Sequence, residues 1–298
     1  MKDVPAARRA LDAPALSLML LLTVLWGLQQ VAIKLALPSV SPVTQAAIRS
    51  IVAALLLLAW AHGRGIALWQ RDGTGRAGLL AGLLFAAEFV FIYAGLAHTT
   101  ASRMVVFVYL APVLTALGLA LFVPGEKLAP VQWAGVLLAF PGIVLAFSDH
   151  GGGTASTLFG DACGVLAAVL WAATTVLIRA SRLAGATAEK TLAYQLGVSA
   201  LALPLAAALL GEPGVMHLDA VAVGSLLFQS VVVAFASYLA WFWLLTRYLA
   251  GRLAVFSFLT PLFGVLFGVL LLGEPLSLRF VLAAVAVGAG IALVNLRR

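Results

Sequence analysis

Charge is scarce in this 298-residue chain. Asp, Glu, Lys and Arg together make up 10% of it, against 63% hydrophobic residues and a mean hydropathy of +1.11. A water-soluble globule carries about a quarter of its residues as charged side chains, so that class is excluded. Cysteine occurs once, at Cys163, which rules out an intrachain disulfide and a cysteine-built metal site. The four histidines, His62, His98, His150 and His217, are scattered at expected helix ends without the i, i+4 spacing that gives a metal two ligands from one turn. No metal is expected. There is no G-x-x-x-x-G-K-[ST] phosphate loop. Paired aspartates, a His/Glu metal set or a Ser-His pair at membrane depth are equally missing, so neither catalysis nor a cofactor is expected. The basic excess, 18 Lys+Arg over 11 Asp+Glu, sits almost wholly in connectors, where membrane topology accounts for it and a nucleic-acid partner is not needed.

What the chain has in quantity is long apolar runs. A bilayer is crossed by about 20 apolar residues. Runs and breakers together predict ten helices near 16–36, 43–61, 77–97, 101–123, 130–148, 158–180, 190–210, 220–246, 252–272 and 277–295. The connectors are short, with stops such as Pro38, Pro42 and Gly211-Glu212-Pro213-Gly214, and leave no room for a soluble domain. The first run resembles a signal peptide, but it is too long and ends in Gln29, Gln30 and Lys34 where a cleavage region belongs. It reads as a retained helix. With ten helices the termini share a side, which then holds fourteen of the eighteen basic residues. The other side holds Lys34, Arg103 and Arg279, and Arg49 lies inside the second helix. Fourteen against three places both termini in the cytoplasm.

Self-comparison shows a duplication. Val24-Leu25-Trp26-Gly27 through Lys34 aligns with Val169-Leu170-Trp171-Ala172 through Arg179. Arg103, Phe107, Leu110 and Pro112 align with Arg252, Phe256, Leu259 and Pro261, Gly125-Glu126 with Gly273-Glu274, and Gly142-Ile143 with Gly290-Ile291. The offset drifts only from 145 to 149 residues. The chain therefore divides into residues 1–150 and 151–298. Each half holds five helices, an odd number, so the second enters the membrane inverted. Such 5+5 repeats build a cavity near the bilayer midplane that rocking exposes to each side in turn.

These residues also resemble a known group, the EamA-type ten-helix members of the drug/metabolite transporter superfamily. The likeness is carried by Trp26-Gly27 in helix one, Pro112 and Pro261 in helices four and nine, and the Gly-Glu before helices five and ten. A Gly-rich helix then follows in both halves, Val131 to Phe147 and Leu278 to Asn295. The resemblance covers essentially the whole chain and implies an all-α polytopic transporter. Within the superfamily the chain looks most like bacterial inner-membrane exporters of amino acids, including aromatic ones, and export as the direction comes from the resemblance alone.

Ionisable residues inside a span cost roughly 2.5–3.5 kcal/mol each on insertion scales and need a reason. Arg49 and Glu88 qualify; their repeat partners, Leu196 and Ser237, are uncharged. Either they line the cavity, contacting a substrate carboxylate and amino group, or they form an ion pair locking helix two to helix three. Arg49, about 10 Å into its helix, could also snorkel to the interface. Trp26, Gln29, Gln30 and Ile33 fall at i, i+3, i+4, i+7, one face that lipid would not stabilise, duplicated as Trp171, Thr174 and Thr175. Cavity lining and interhelical hydrogen bonding both account for it. Tyr93, Tyr109, Tyr194, Tyr238 and Trp241 also lie within spans, and each buried hydroxyl needs a partner. Gln229 falls about 180° round an α-helix from Tyr238 at 100° per residue, so the two should not share a side. Pro112 and Pro261 read as kinks or hinges, and the glycines at 78 and 82 and at 264 and 268 as packing grooves. Arg103 and Arg252, and Glu126 and Glu274, read as helix-end caps.

A polyanion carrier would need several cations in its site, and the spans supply only Arg49 and marginally Lys34. The expectation is a secondary transporter of small amphipathic metabolites, most of all amino acids, working in the lipid bilayer with no obligatory protein partner. The alternative is a proton-coupled exporter of lipophilic cations or drugs that uses Glu88.

Overall fold

A computed structural model describes residues 12–68, 70, 72–124, 127–149, 155–248, 253 and 255–295. Lys2, Arg8, Arg9, Arg71, Arg252, Arg297 and Arg298 of the basic count lie outside them, as do His150, Trp69, Gly125-Glu126 and Gly151-Gly152-Gly153. The described chain is helical. It forms α1 (Ala13–Ala36), α2 (Pro42–Gly63), α3 (Gly75–Leu96), α4 (Ala101–Val108), α5 (Ala111–Phe122) and α6 (Pro130–Ser148). It continues with α7 (Ala155–Ala180), α8 (Ala188–Leu209), α9 (Ala220–Leu227), α10 (Tyr238–Arg247), α11 (Leu259–Leu272) and α12 (Leu278–Asn295). No strand forms among the described residues, only an isolated bridge between Val40 and Val215.

Local chemistry sets the helix starts. Asp12 accepts from the Ala15 amide at 3.0 Å, Thr100 from Arg103 at 3.1 Å, Thr187 from Lys190 at 3.2 Å and Asp219 from Ala222 at 2.7 Å. Each satisfies one of the amides a first turn leaves orphaned. Pro14, Pro42, Pro112 and Pro130 occupy first turns, where a missing N–H costs nothing. Gly273, at φ 65°, ends α11 in the left-handed region.

Nine stretches among the described residues are long and apolar enough to cross a membrane, with Ala101–Phe122 and Ala220–Trp241 each counted as one. The ninth expected helix, 252–272, begins outside the described residues and leaves only a 3-10 turn, Val255–Phe258, and the 14-residue α11. The outer faces carry exposed leucines, among them Leu121, Leu201, Leu209 and Leu278, as a lipid-facing surface requires.

Two expectations about helix continuity change. Helix four does not run through Pro112 with a kink. It stops at Tyr109-Leu110 and restarts as α5, so Pro112 falls in a first turn. Helix eight is not uniform either: its middle, Phe228–Ser237, is π-helical. Hydrogen bonds from i to i+5 widen the turn, and the 100° step used to separate Gln229 from Tyr238 fails there.

With no hydrophobic force between helices in lipid, close approach of small residues does the packing. A Cβ on Gly135 would meet the Gly290 carbonyl oxygen at 2.7 Å, and one on Gly290 would meet that of Gly135 at 2.7 Å. A Cβ on Gly142 would meet the Ala283 carbonyl oxygen at 3.1 Å. Rising numbers on α6 thus pair with falling numbers on α12, so the two run antiparallel. In the repeat register Gly142 matches Gly290 and Gly135 matches Ala283, so exchanging the halves turns the first contact into the second. Other pairings are consistent with the same exchange: α2 packs on α8, α4 on α11, α1 on α11 and α5 on α7. The expected grooves are filled, Gly78 by Tyr194, Gly82 by Val198 and Gly264 by Val105.

Candidate functional site

Most intramembrane charges serve helix ends. Lys34 on α1 donates to the Leu96 and Thr99 carbonyls at 3.2 and 2.6 Å, closing the end of α3. Arg103 donates to the Ala146 and Asp149 carbonyls at 2.8 and 3.1 Å and pairs with Asp161, which is fully buried and also accepts from Thr99 at 2.6 Å. Glu274 accepts from the Ala101 and Ser102 amides at 2.6 and 2.9 Å, capping α4. The capping roles expected of Arg103 and Glu274 are therefore seen; Arg252 and Glu126 lie outside the described residues.

Arg49 and Glu88 behave differently. Arg49 on α2 has 0% exposure, so it does not snorkel. Its guanidinium lies 4.1 Å from the centre of the Phe89 ring, and Nη2 donates to the Tyr238 hydroxyl at 3.1 Å. Nε and Nη1 have no partner among the described residues. Glu88 on α3 is 5% exposed, and its Oε2 has none either. The ion pair considered from the sequence is not formed: pairs among the described residues join Arg103 to Asp149 and Asp161, Lys190 to Asp72, and His217 to Asp219. The two groups still share one electrostatic neighbourhood with Tyr109 and Tyr238. A cation over an aromatic face gains about 2 kcal/mol or more when desolvated. Each buried polar group left unbonded costs roughly 1–3 kcal/mol, more if charged. Two guanidinium nitrogens, carrying three N–H groups, and a carboxylate oxygen are thus left without bonds among the described residues.

The tryptophans expected on α1 and α7 sit in separate aromatic pairs. Trp26 on α1 donates from Nε1 to the Ser237 hydroxyl at 2.9 Å and meets Trp241 edge-on at 5.8 Å between centroids. Its repeat partner Trp171 on α7 meets Tyr109 edge-on at 5.5 Å. Gln29 and Gln30 are 7% and 4% exposed, and the Oε1 of Gln30 lacks a partner, as does Thr260 Oγ1 beside the buried Pro261. Gln30, Arg49, Glu88 and Thr260 come from four helices, in both halves of the chain. All four are buried.

Tyr93 and Gln229 form a separate device. The Tyr93 hydroxyl donates to Gln229 at 2.7 Å, Gln229 donates to Gln45 at 3.2 Å, and Gln45 donates to the Val40 carbonyl at 3.0 Å. This buried chain ties α3, the π-helical stretch and α2 together. Gln229 and Tyr238, expected on opposite sides, therefore both reach α2, at Gln45 and Arg49, because the π turns lie between them. Tyr194 sits at a helix end, 3.2 Å from Thr74, and not at the centre.

Sequence reasoning passed over Glu212. On the loop after α8, it accepts from the Val43 and Thr44 amides at 2.8 Å each and from the Ser41 and Thr44 hydroxyls at 2.8 and 3.1 Å. The Ser41 amide donates to Gly214 at 2.9 Å and the Met216 amide to Ser39 at 2.9 Å, so the two connectors are clasped. At the start of α8, Lys190 reaches across to the Gln70 carbonyl at 2.7 Å and to Asp72 at 2.8 Å. The ammonium of Lys190 and the Thr74 hydroxyl hold the Asp72 carboxyl below the usual carboxylate range. In each half, the connector after the second helix clasps the start of the other half's second helix. Only the carboxylate directly capping a helix start would have drawn notice in the sequence, and a Gly-Glu-Pro-Gly loop hides it.

Compared with known proteins, the sequence matches the EamA-like transporter family over residues 13–148 and again over 158–296. An uncharacterized transporter of Archaeoglobus fulgidus is 31% identical over 86% of this chain and 89% of its own. The uncharacterized transporter YvbV of Bacillus subtilis is 28% identical over 99% and 94%. A protein of Escherichia coli named probable amino-acid metabolite efflux pump is 25% identical over 92% of each chain. A solved crystal structure superimposes with a TM-score of 0.66 at 22% identity, covering 93% of this chain and 96% of that one, and so shares the fold.

Proposed function

The chain belongs to the EamA-like transporter family, and from that premise we propose that it carries amino acids, aromatic ones included, out of the cytoplasm. It does so as a ten-helix protein of the bacterial inner membrane, with residues 1–150 and 151–298 as inverted five-helix halves and both termini in the cytoplasm. The antiparallel α6 and α12, whose contacts exchange with the halves, support that arrangement. Alternating access between the halves exposes the centre to one side and then the other.

One observation carries the substrate assignment: a fully buried arginine with two unpartnered donor nitrogens and a buried carboxylate with an unpartnered oxygen, on neighbouring helices, feel each other electrostatically without pairing. A carboxylate on Arg49 and an ammonium on Glu88 satisfy both, and the Trp26, Trp171 and Trp241 rings take the side chain. The Escherichia coli relative named probable amino-acid metabolite efflux pump supports the same reading. Glu88 among aromatic rings also favours a second reading, proton-coupled export of lipophilic cations, which leaves Arg49 without a role.

The test is uptake of labelled aromatic and aliphatic amino acids into liposomes holding the native protein or Glu88→Gln, with and without a pH gradient. Saturable uptake without a gradient, weakened by the substitution, is expected. If no amino acid enters and a lipophilic cation moves only with a proton gradient, the second reading replaces the first.

A further inference from the structure

Helix eight runs through α9, the Phe228–Ser237 stretch and α10, and it is tied to α2 at two points that an α-helix could not offer together. On α2, Gln45 and Arg49 stand one turn apart on a single face. Gln45 accepts from Gln229 at 3.2 Å, and Arg49 donates to Tyr238 at 3.1 Å. At about 100° per residue an α-helix puts Gln229 and Tyr238 on opposite sides, and only the π turns between them bring both to α2. Such turns are rare and mostly single. This run holds no glycine or proline that would favour them, so their cause lies at its ends. Gln229, fully buried, is gripped by Tyr93 as well as Gln45, while Ser237, beside Tyr238, accepts from Trp26 at 2.9 Å. Held at both ends, the stretch is kept from the α form, and releasing either end relieves it.

Tyr238 is the one hydrogen-bond partner that Arg49 has among the described residues, and it sits on Nη2. A carboxylate takes a guanidinium along an edge, two N–H groups at a time, and each such edge pairs Nη2 with Nε or with Nη1. We infer that Tyr238 is a built-in stand-in for the substrate carboxylate: it holds Arg49 until a carboxylate displaces it, and its release lets the π stretch relax toward α. This rests on Arg49 as the carboxylate site proposed above. The bond gained is charge-assisted on both sides and stronger than the one lost to a neutral phenol, and the relief of the stretch adds to it. Gln229 acts through Tyr238. Freed at Gln229, the stretch relaxes from that end instead, and Tyr238 keeps Arg49 without strain. Binding at Arg49 is thereby converted into a turn of helix eight.

The experiment measures the Kd of phenylalanine and of phenethylamine, which has the ring and ammonium but no carboxylate, on the full-length protein in detergent by calorimetry. Tyr238→Phe removes the competing hydroxyl and keeps the ring. It should bind phenylalanine about tenfold more tightly, the low end for a hydrogen bond to a charged group, and leave phenethylamine within twofold of native. Gln229→Leu should move the other way and weaken phenylalanine severalfold, while the double variant should match Tyr238→Phe, since no strain is left to share. Should Gln229→Leu fail to fold, Tyr93→Phe, which takes one hold off Gln229, carries the same sign. A phenylalanine Kd that is unchanged or raised in Tyr238→Phe overturns the inference, as does an equal gain for both ligands. A Kd at or below native in the Gln229 or Tyr93 variant overturns the part given to the π stretch. If phenylalanine binds the native protein no better than phenethylamine, Arg49 does not take the carboxylate, and the central site falls along with the inference.

Discussion

Replacing Glu212 with Ala should loosen the clasp between the α1–α2 and α8–α9 connectors. Four donors converge on this carboxylate, but they do not count equally. The Ser41 hydroxyl also lies 2.9 Å from Thr44 Oγ1, so the two hydroxyls satisfy each other when the carboxylate goes. What is lost is the pair of bonds from the Val43 and Thr44 amides, 2.8 Å each, at the positive end of α2. A hydrogen bond to a charged group contributes about 1.5–3 kcal/mol. Taking the low end for two partly exposed amides gives about 3 kcal/mol, or about 150-fold in the closed-to-open ratio at this face. The assay is the rate at which a membrane-impermeant maleimide labels Gln30→Cys from the Ser39 side, with the native Cys163 replaced by Ala. Gln30 is 4% exposed, so its labelling reports opening. Acceleration of one to two orders of magnitude is expected. An unchanged rate, with the protein folded, would refute the idea that Glu212 holds this face shut.

Two further outcomes follow from the charges at helix ends. Asp161→Asn leaves Arg103 with its two carbonyl bonds and only Asp149, 3.7 Å away, as counterion, and breaking such a buried pair costs about 3 kcal/mol at the low end of the usual range; thermal unfolding in detergent should show a clear loss, and an unchanged midpoint contradicts the role assigned to the pair. For Asp72, a folded-state pKa below the usual value means its contribution is fully present above about pH 4, the unfolded value, and lost only as pH falls through the lower folded one. The stability difference between native protein and Asp72→Asn should therefore stay constant from pH 8 down to about pH 4.5. Convergence of the two above pH 5 would show that Lys190 and Thr74 do not hold the carboxyl as described.

The helices and the duplication were legible because both rest on composition and spacing: apolar runs bounded by Pro and Gly, and residues such as Trp26 and Trp171 in constant register. Arg49 and Glu88 stood out because charge in a span is costly. Their separation did not, since an ion pair and two independent groups have the same sequence. Helix-periodic reasoning failed at Gln229 and Tyr238, where the Phe228–Ser237 stretch is as apolar as an α-helix and nothing in its composition announces π turns. The break before Pro112 was not foreseen, and Pro112 was expected as a mid-helix kink, because proline marks only that an N–H is missing, and a first turn accommodates that as well as a kink does. Tyr93 was rightly expected to need a hydroxyl partner, and the partner, Gln229, lies in the other half, beyond any local pattern. Asp161 and Glu212 escaped notice because each acts across the fold, on Arg103 and on the start of α2.

The central claim is that substrate sits between Arg49 and Glu88 with its side chain among the tryptophans. A structure determined with 4-bromophenylalanine, using the anomalous signal of bromine, tests it most directly. The account predicts a bromine peak beside Trp26, Trp171 and Trp241, with the carboxylate on the Arg49 guanidinium and the ammonium on Glu88 Oε2. A fully occupied ligand elsewhere, leaving Arg49 and Glu88 as they stand, would contradict it.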